Sequence, residues 1–359
     1  MSEQISDEVP VDWGKLLETQ LEKWRGGGSH TRGIAEYITN SDDSYRRLKK
    51  FTDQTIYVEI HSSRGRKIDN LIIRDDAEGM SYDDLENKFF RYFESFSGRE
   101  QGELVSGRFG TGGKAYAIMN FEHCWITSVK DGFESKAWFK WDSSRKRIRR
   151  DYNRGGYLNR NVNKPCGTIV ELQGSLKVNY ELLDIVANLE KLARIRHGIK
   201  NQKVIVRLHK RNEDVEIPLK YSAQQNSLRD WKFEVPIDLC GNRSDKPQLI
   251  LQYFKEPLGE HSFIDLSDGI SSVADLKVEY FDGRPFSRYF NGFLTLIKLK
   301  DSSAVKENRK GLEEGDDLTD AIEAFIKGCV SKAVSEVEEE QRKKEKERRL
   351  NASSEKMKE

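Results

Sequence analysis

The sequence predicts an α+β protein made of two domains and a charged C-terminal helix. Apolar residues recur at helical spacing near both ends of the chain, and strand-like runs rich in aromatic and β-branched residues occur in both halves. The 359 residues are enough for about two hydrophobic cores, because one core commonly covers ~100 to 200 residues. We expect a first domain over residues 1–180, a smaller α+β domain over 181–316 and a terminal helix over 317–359.

The charge balance limits the partners that the whole chain can attract. There are 61 Lys and Arg against 60 Asp and Glu, a net charge of +1, so no global field draws in polyanions or a membrane surface. The sequence contains neither an apolar run of about 18 residues nor a basic-then-apolar leader. We therefore expect a cytoplasmic protein, or a nuclear one in a eukaryote, with no membrane partner. Any nucleic-acid contact would need a local basic patch.

The cysteines and histidines show no metal-ligand spacing along the sequence. The four cysteines lie far apart and form no C-x-x-C pair, which argues against a structural zinc site and a disulfide framework. The six histidines are scattered, and no Ser/His/Asp or Cys/His set is recognisable. Catalysis by these groups is therefore not expected.

Two helices are predicted before the first strand. The first has apolar residues at helical spacing over 13–24 and is broken by "RGGGSH". The second begins near Thr31, and its apolar positions leave Glu36, Asn40 and Asp43 together on another face, at i, i+4 and i+7. Taken alone, those three residues describe an ordinary exposed polar face.

A β-hairpin follows the second helix. The runs "QTIYVEIHSS" and "NLIIRDD" read as strands, and the polar turn "RGRK" joins them. The second run continues as "IIRDDAEGM", in which an apolar strand ends in carboxylates and small residues. A turn that closes the strand and a binding pocket both explain this composition.

The remaining elements of the first domain surround a glycine-rich segment. A helical stretch, "YDDLENKFFRYFESF", leads into "SGREQGELVSGRFGTGGKAYAIM", which opens a helix at Lys114. The strands "HCWITSV", "SKAWFKW" and "GTIVELQG" complete the domain.

The second domain is predicted to start with a helix over residues 183–198. Its strands are "QKVIVRLHK", "KFEVPI", "QLILQYF", "DLKVEYF" and "NGFLTLIKLK". The tail from Asp317 is helical, with one apolar stripe that disappears beyond Val337. The mixed charges after Val337 are typical of a solvated single helix or of the approach to a further region.

Two familiar glycine motifs do not explain "GRFGTGGKAYAIM". A Walker A loop needs glycine and Ser or Thr where Arg108 and Ala115 stand. "GTGGKA" satisfies G-x-G-x-x-A, but a dinucleotide fingerprint must directly follow a buried strand, and the preceding segment is polar. A third interpretation uses distant parts of the chain.

Four segments, in order, form a recognisable set. They are Glu36-x-x-x-Asn40-x-x-Asp43 on a helix, Asp75 to Met80 after a strand, the glycines at 107, 110, 112 and 113, and Gly167-Thr168 at a strand start. The set resembles the nucleotide-binding motifs of the GHKL superfamily of gyrase, the large heat-shock chaperone, histidine kinases and MutL. The resemblance covers roughly residues 30–175, with weaker similarity to the superfamily's transducer domain to about residue 330, and is nearest to chaperone-like and MORC-like members. It implies a Bergerat-type ATP-binding α/β sandwich followed by a transducer-like domain.

The helix motif implies the catalytic centre of an ATPase. Glu36 would orient or deprotonate a water for attack on the terminal phosphate of ATP. The amide oxygen of Asn40, one turn later, would bind Mg²⁺, which prefers a few oxygen ligands together with phosphate and water.

The strand-end motif implies the adenine site. Asp75 would accept a hydrogen bond from the exocyclic amine of adenine, with Gly79 and Met80 following it in the same motif. Ala77 stands where the family's D-x-G-x-G has its first glycine, and alanine resists a positive φ. Thr168 resembles the family's threonine near adenine, bonded directly or through water.

The glycine-rich segment implies the phosphate site. Its backbone N–H groups would turn towards phosphate oxygens at a helix N-terminus, although a flexible surface loop has the same composition. The expected contacts are Gly107, Gly110, Gly112, Gly113 and Lys114. The polar segment 95–107 matches the mobile lid of the family.

A basic residue of the second domain would complete the catalytic set. Members with a transducer domain send a lysine or arginine to the terminal phosphate. The loop after "NGFLTLIKLK" offers Lys310, with Arg309 and Lys306 as neighbours. An ordinary solvated basic loop is the alternative for each of them.

The predicted function is Mg²⁺-dependent binding and slow hydrolysis of ATP, which drives lid closure and ATP-dependent homodimerisation as a conformational switch. A nucleotide-binding scaffold without turnover is the alternative, which the Ala77 substitution raises. A protein client or nucleic-acid partner is compatible with either function, but fold-level analogy does not choose between pathways.

Overall fold

The computed structural model describes residues 13–22, 24–25, 29–50, 54–63, 67–90, 112–151, 157–175, 182–190, 192, 195, 198–199, 202–210, 213–220, 227–240, 247–269, 272–299, 302, 304–305 and 312–356. The chain divides into two compact units, Met1–Tyr221 and Ser222–Glu359. None of the helices in these ranges is long and apolar enough to cross a membrane.

The first unit combines a large sheet with helices. Its helices are α1 (Trp13–Glu22), α2 (Ser29–Arg47), α3 (Tyr82–Asp84) with a π-helical turn (Leu85–Phe89), α4 (Gly112–Asn120) and α5 (Leu182–Glu190). Its strands are β1 (Thr55–Ser62), β2 (Asn70–Asp75), β3 (Phe121–Lys130), β4 (Phe133–Asp142), β5 (Arg147–Asp151), β6 (Tyr157–Asn161), β7 (Gly167–Ser175), β8 (Lys203–Lys210) and β9 (Glu213–Pro218).

These strands form one nine-stranded sheet among the described residues. The order is β5-β4-β3-β7-β2-β1-β8-β9, and β6 also pairs with β4. The predicted β1–β2 hairpin is present, and every neighbouring pair is antiparallel except β1 with β8. Burial alternates along β1 and β2, so one face of these strands carries the core while the other carries polar side chains.

The first core lies between this sheet and helices α2, α4 and α5. Ile34 and Ile38 of α2 and Val58 and Ile60 of β1 are almost fully buried in it. The helix predicted at Lys114 begins two residues earlier, at Gly112, and all nine of its residues are buried. The sheet with helices on one face is the α/β sandwich expected from the sequence.

The first unit is longer than the expected 1–180 domain. Strand β8 was assigned to the second domain, yet it pairs in parallel with β1 from Thr55–Lys203 to Ser62–Lys210, and β9 pairs with β8. Helix α5 also buries its apolar face in the first core. The sequence pattern of β8 defines a strand, but it does not say which sheet the strand joins.

The second unit is a smaller α+β domain. Its strands are β10 (Arg229–Glu234), β11 (Gln248–Tyr253), β12 (Phe263–Ser267), β13 (Ser272–Lys277) and β14 (Phe290–Thr295), in the order β10-β11-β14-β12-β13. Its helices are α6 (Ile237–Cys240), α7 (Val278–Phe281) and α8 (Asp317–Lys356).

Some local predictions for the strands are corrected. Strands β5, β6, β9 and β12 occur where the sequence analysis predicts none, and β5 and β6 are too polar to give a strand pattern. The run "DLKVEYF" is divided, because β13 ends at Lys277 and its last four residues form α7. Val278 and Phe281 are both buried by this helical turn, whereas a strand would place them on opposite faces.

The terminal helix is part of the second core rather than a separate region. From Ile322 to Val337 its apolar stripe is buried with the five-stranded sheet, and residues 339–350 are exposed. Arg284 joins the helix to the domain, because its guanidinium bonds to Asp282 at 2.6 Å, to the Ser331 carbonyl at 2.9 Å and to Glu338 at 3.1 Å.

Candidate functional site

Helix α2 and the end of strand β2 meet at Asp75. The hydroxyl of Ser41 donates a hydrogen bond of 2.7 Å to Asp75 Oδ2. Asn40 directly precedes Ser41, so the structure brings the predicted metal-binding and adenine-binding segments together. Asn40 itself is exposed, whereas Asp43, the third residue of the helix motif, is buried.

The loop after Asp75 is fastened to the C-terminal half of α2. The backbone N–H of Asp76 donates to the Tyr45 hydroxyl at 2.9 Å, and that of Glu78 donates to Ser44 Oγ at 3.3 Å. The Glu78 carboxylate also pairs with the Arg47 guanidinium at 2.5 Å. Hydrogen bonds and one ion pair thus hold the loop that follows the predicted adenine acceptor in a defined conformation.

The environment of Asp75 favours its neutral form. Burial raises the pKa of this carboxyl, and hydrogen bonds from Ser41 and from the backbone N–H groups of Ala77 and Thr168 only partly oppose that rise. The N–H of Ala77 lies 3.1 Å from Asp75 Oδ1. A strongly desolvated carboxylate with an aimed hydrogen-bond set is the kind of group that marks a binding site.

Positions 77 and 79 use their small residues differently. Ala77 is buried and does not belong to the described non-glycine residues with a positive φ, so alanine fits the backbone there without strain. Gly79 has a φ of 68°, and a Cβ at that position would collide with the carbonyl oxygen of Val129. The backbone therefore requires glycine at the second motif position but not at the first.

A serine missed by the sequence analysis connects the adenine-side residues. Ser128 Oγ accepts a 2.7 Å hydrogen bond from the N–H of Met80 and lies 2.9 Å from Thr168 Oγ1. It also donates to the Gly167 carbonyl at 3.1 Å. Ser128 lies on the buried face of β3 with Cys124 and Ile126. The sequence could have indicated its role, because a hydroxyl stands at a position where the strand alternation predicts an apolar residue.

The predicted base lies at the start of helix α4. The glycine at 112 has no room for a side chain, because a Cβ there would overlap the carboxyl group of Glu36. Next to it, the Tyr37 hydroxyl donates to the Gly113 carbonyl at 2.8 Å. A half-buried carboxylate thus rests against the N-terminal turn of a helix, the end at which the helix dipole favours negative charge.

Lys114 is placed differently from the expected phosphate contact. Its ammonium group donates to the carbonyl of Phe89 and lies 5.5 Å from the centre of that ring. The side chain is buried. A direct phosphate contact would require this ammonium group to leave Phe89, so its role stays a prediction.

Several predicted site residues lie outside the described residues. They are Gly107, Gly110 and Lys310, together with Lys306, Arg309 and the whole of the predicted lid 95–107. Their contacts with a nucleotide also stay predictions.

Comparison with known protein families agrees with this geometry. Residues 29–161 match the family model for the histidine kinase-, DNA gyrase B- and HSP90-like ATPase. The first unit contains a GHKL-type ATPase domain. The match begins at α2 and ends at β6, so it includes Glu36, Asn40, Asp75 and the start of α4. This is an ATP-binding domain, and the resemblance of these residues to the GHKL superfamily is confirmed. No curated protein matches the chain.

Proposed function

We propose that this protein binds ATP with Mg²⁺, hydrolyses it slowly and uses the cycle as a conformational switch. One observation carries the proposal. Helix α2 places Glu36 against the first turn of α4, and the same helix places Ser41 on Asp75, five residues later. One rigid element therefore fixes the distance between the adenine acceptor and the base.

The chemistry at the phosphate end is positioning and charge stabilisation. Glu36 would accept the proton of the attacking water, since its carboxylate is fixed beside the helix start where phosphate oxygens are best stabilised. The N–H groups of the first turn of α4 would face the charge that develops on the transferred phosphoryl group. Water is thus the expected acceptor of that group.

The donor chemistry near Glu36 fits Mg²⁺. Asn40 lies one turn beyond Glu36 on α2 and its exposed amide offers an oxygen ligand that leaves other positions for phosphate and water. Bound Mg²⁺ would neutralise phosphate charge and orient the terminal phosphate. Asn40 would hold the ion, and Glu36 would remain available for the water.

The expected output is a change of conformation and assembly in the cytoplasm, or in the nucleus of a eukaryote. ATP would close the segment 95–107 over the site and favour a homodimer, with Lys310 contacting the terminal phosphate. Sedimentation velocity without nucleotide and with a non-hydrolysable ATP analogue and Mg²⁺ tests this step. A mass that stays the same in both would contradict nucleotide-driven dimerisation but not hydrolysis.

Phosphate release tests the hydrolysis itself. The wild type should release phosphate from ATP in a Mg²⁺-dependent way, and Glu36→Gln should lower the rate by roughly 100-fold or more while ATP still binds. Glu22→Gln, a change to an exposed glutamate of α1, is the control. If the wild type releases no phosphate above background, the nucleotide-binding scaffold without turnover becomes the better function; equal rates above background would show that Glu36 is not the base.

A further inference from the structure

A second cluster of chemically active side chains lies on the polar face of the first sheet. Glu59 and His61 belong to β1 and His209 to β8, and each offers a potential ligand atom within 4.8 Å of the others. All three side chains are half-buried. The ATP-site residues of α2, β2 and α4 contribute nothing to this cluster.

Parallel pairing of β1 with β8 creates the cluster. The pairing puts His61 directly beside His209, and the two imidazole rings stack with centroids 4.2 Å apart. Glu59 precedes His61 by two residues and therefore lies on the same face, with Oε2 at 3.9 Å from His61 Nε2. Histidines that look scattered along the sequence thus become neighbours.

Asp214 prepares His209 as a ligand. Its carboxylate lies 3.0 Å from His209 Nδ1, so the proton of a neutral ring stays on Nδ1 and the lone pair is on Nε2. His209 Nε2 is buried and has no hydrogen-bond partner among the described residues. A carboxylate that orients an imidazole towards a metal is a common second layer of metal sites in proteins.

His61 also has a polar neighbour on the strand at its other side, β2. It pairs there with Asn70, whose Oδ1 has no hydrogen-bond partner among the described residues. Buried polar atoms of this kind usually have a hydrogen-bond partner or bind a ligand.

One cation already touches the cluster. Arg207 Nη1 lies 3.4 Å from Glu59 Oε1, while Arg207 Nε bonds to Glu216 at 2.9 Å. The guanidinium contacts only Oε1 of Glu59, so Oε2, which lies 3.9 Å from His61 Nε2, can serve as a ligand.

We propose that Glu59, His61 and His209 form a binding site for a zinc-type divalent transition-metal ion. Two imidazoles and one carboxylate are a donor set that such ions prefer over Mg²⁺ or Ca²⁺. The three ligand atoms lie within 4.8 Å of one another and must close to about 3.3 Å for tetrahedral bonds of ~2.0–2.1 Å. The two rings are stacked almost parallel, so they must also rotate out of the stack for both lone pairs to point at one ion. The ion would join β1 to β8, a strand outside the residues that match the ATPase family.

Calorimetric titration of tag-free, nucleotide-free protein with Zn²⁺ tests the site. The wild type should bind one Zn²⁺ per chain, also in excess Mg²⁺. His61→Gln and His209→Gln should each weaken binding at least tenfold, and Asp214→Asn about tenfold, because it removes only the orienting carboxylate. His123→Gln, at an exposed histidine of β3 in the same sheet, should bind like the wild type.

A thermal melt provides a second readout. Zn²⁺ should raise the melting temperature of the wild type and of His123→Gln but not of the His61→Gln/His209→Gln double variant, because only the folded site binds the ion. If the double variant does not fold, Glu59→Gln replaces it, since its amide oxygen still accepts from Arg207. Absence of binding to the wild type, or binding that none of these cluster variants weakens, would overturn the proposal.

Discussion

The two ends of the proposed nucleotide site are built by opposite means. At the adenine end, side chains of α2 and β3 bond to the backbone of residues 75–80 and hold a glycine in a conformation that few other residues adopt. At the phosphate end, the backbone at the start of α4 is ordinary helix. Gly112 is needed there because any side chain would occupy the space of the Glu36 carboxyl group. The comparison shows two separate reasons for a glycine. Gly79 allows a backbone conformation with positive φ, whereas Gly112 leaves room for the carboxyl group of Glu36, the proposed base.

The largest expected effect separates these two uses of glycine. Gly79→Ala should lower the free energy of unfolding by about 3 kcal/mol or more, because it combines an unfavourable positive φ with a clash against the Val129 carbonyl. Chemical denaturation measures the loss. Gly132→Ala is the matched control, since it has a φ of 80° but only a 3.9 Å neighbour, and it should cost about 1–2 kcal/mol. Equal losses would mean that the close approach at Gly79 is unimportant.

The next effect appears in catalysis. Gly112→Ala should leave the stability nearly unchanged, because the three atoms nearest to the added methyl all belong to the movable carboxyl end of Glu36. Displacing that carboxylate should lower ATP turnover by roughly 100-fold. Phosphate release and a thermal melt, measured on the same preparation, separate the two outcomes.

A helical glycine without neighbours provides the control for Gly112. Gly328→Ala, in α8, has nothing within 4 Å of the new Cβ and should increase the stability by about 1 kcal/mol without affecting turnover. Normal turnover in Gly112→Ala would show that Glu36 is not the base.

A smaller effect concerns the adenine carboxylate. Asp75→Asn should weaken ATP binding roughly 10- to 100-fold, because an amide NH₂ group replaces one of the two carboxyl oxygens that could accept from the adenine amine. The same change should leave the nucleotide-free protein at least as stable as the wild type at pH 7.5. The reason is that burial raises the pKa of Asp75, so its ionised form opposes folding as the pH rises through that value.

The stability difference between Asp75→Asn and the wild type should depend on pH in one direction. Any stability advantage of Asp75→Asn over the wild type should shrink as the pH falls through the raised pKa, where Asp75 becomes neutral. Asp76→Asn, at the exposed neighbour, should change neither binding nor this dependence. Unchanged ATP affinity in Asp75→Asn would contradict the adenine assignment.

The smallest effect tests the alanine in the motif. Ala77→Gly restores the family residue but should not strengthen ATP binding, because the backbone at Ala77 does not need a positive φ. The variant should lose about 0.5–1 kcal/mol of stability through the greater freedom of its unfolded chain. A clear gain in affinity, measured by calorimetry, would show that the methyl group obstructs the ring.

The order of the four motifs along the chain predicted the ATPase domain and the meeting of α2 with the end of β2. This was possible because the GHKL superfamily has these motifs in the same order in one fold. The hydrogen bonds of Ser41, Tyr45 and Ser128 were missed, since a hydroxyl on a helix or strand gives no sign of its partner. The destination of β8 was also missed, and with it the pairing of His61 with His209. Strand pairing between distant segments depends on tertiary structure, which local patterns do not encode.

The parallel pairing of β1 with β8 has a consequence for how the chain is made. Thr55 meets its partner Lys203 only after another 148 residues have been synthesised, which takes roughly 7–30 s at ~5–20 residues per second. Until then, one edge of β1 has unpaired N–H and C=O groups, which can pair with a strand of another chain. A fragment that stops near residue 180 would keep that edge permanently open, so studies of the ATPase domain in isolation should retain the chain through Pro218 to avoid aggregation.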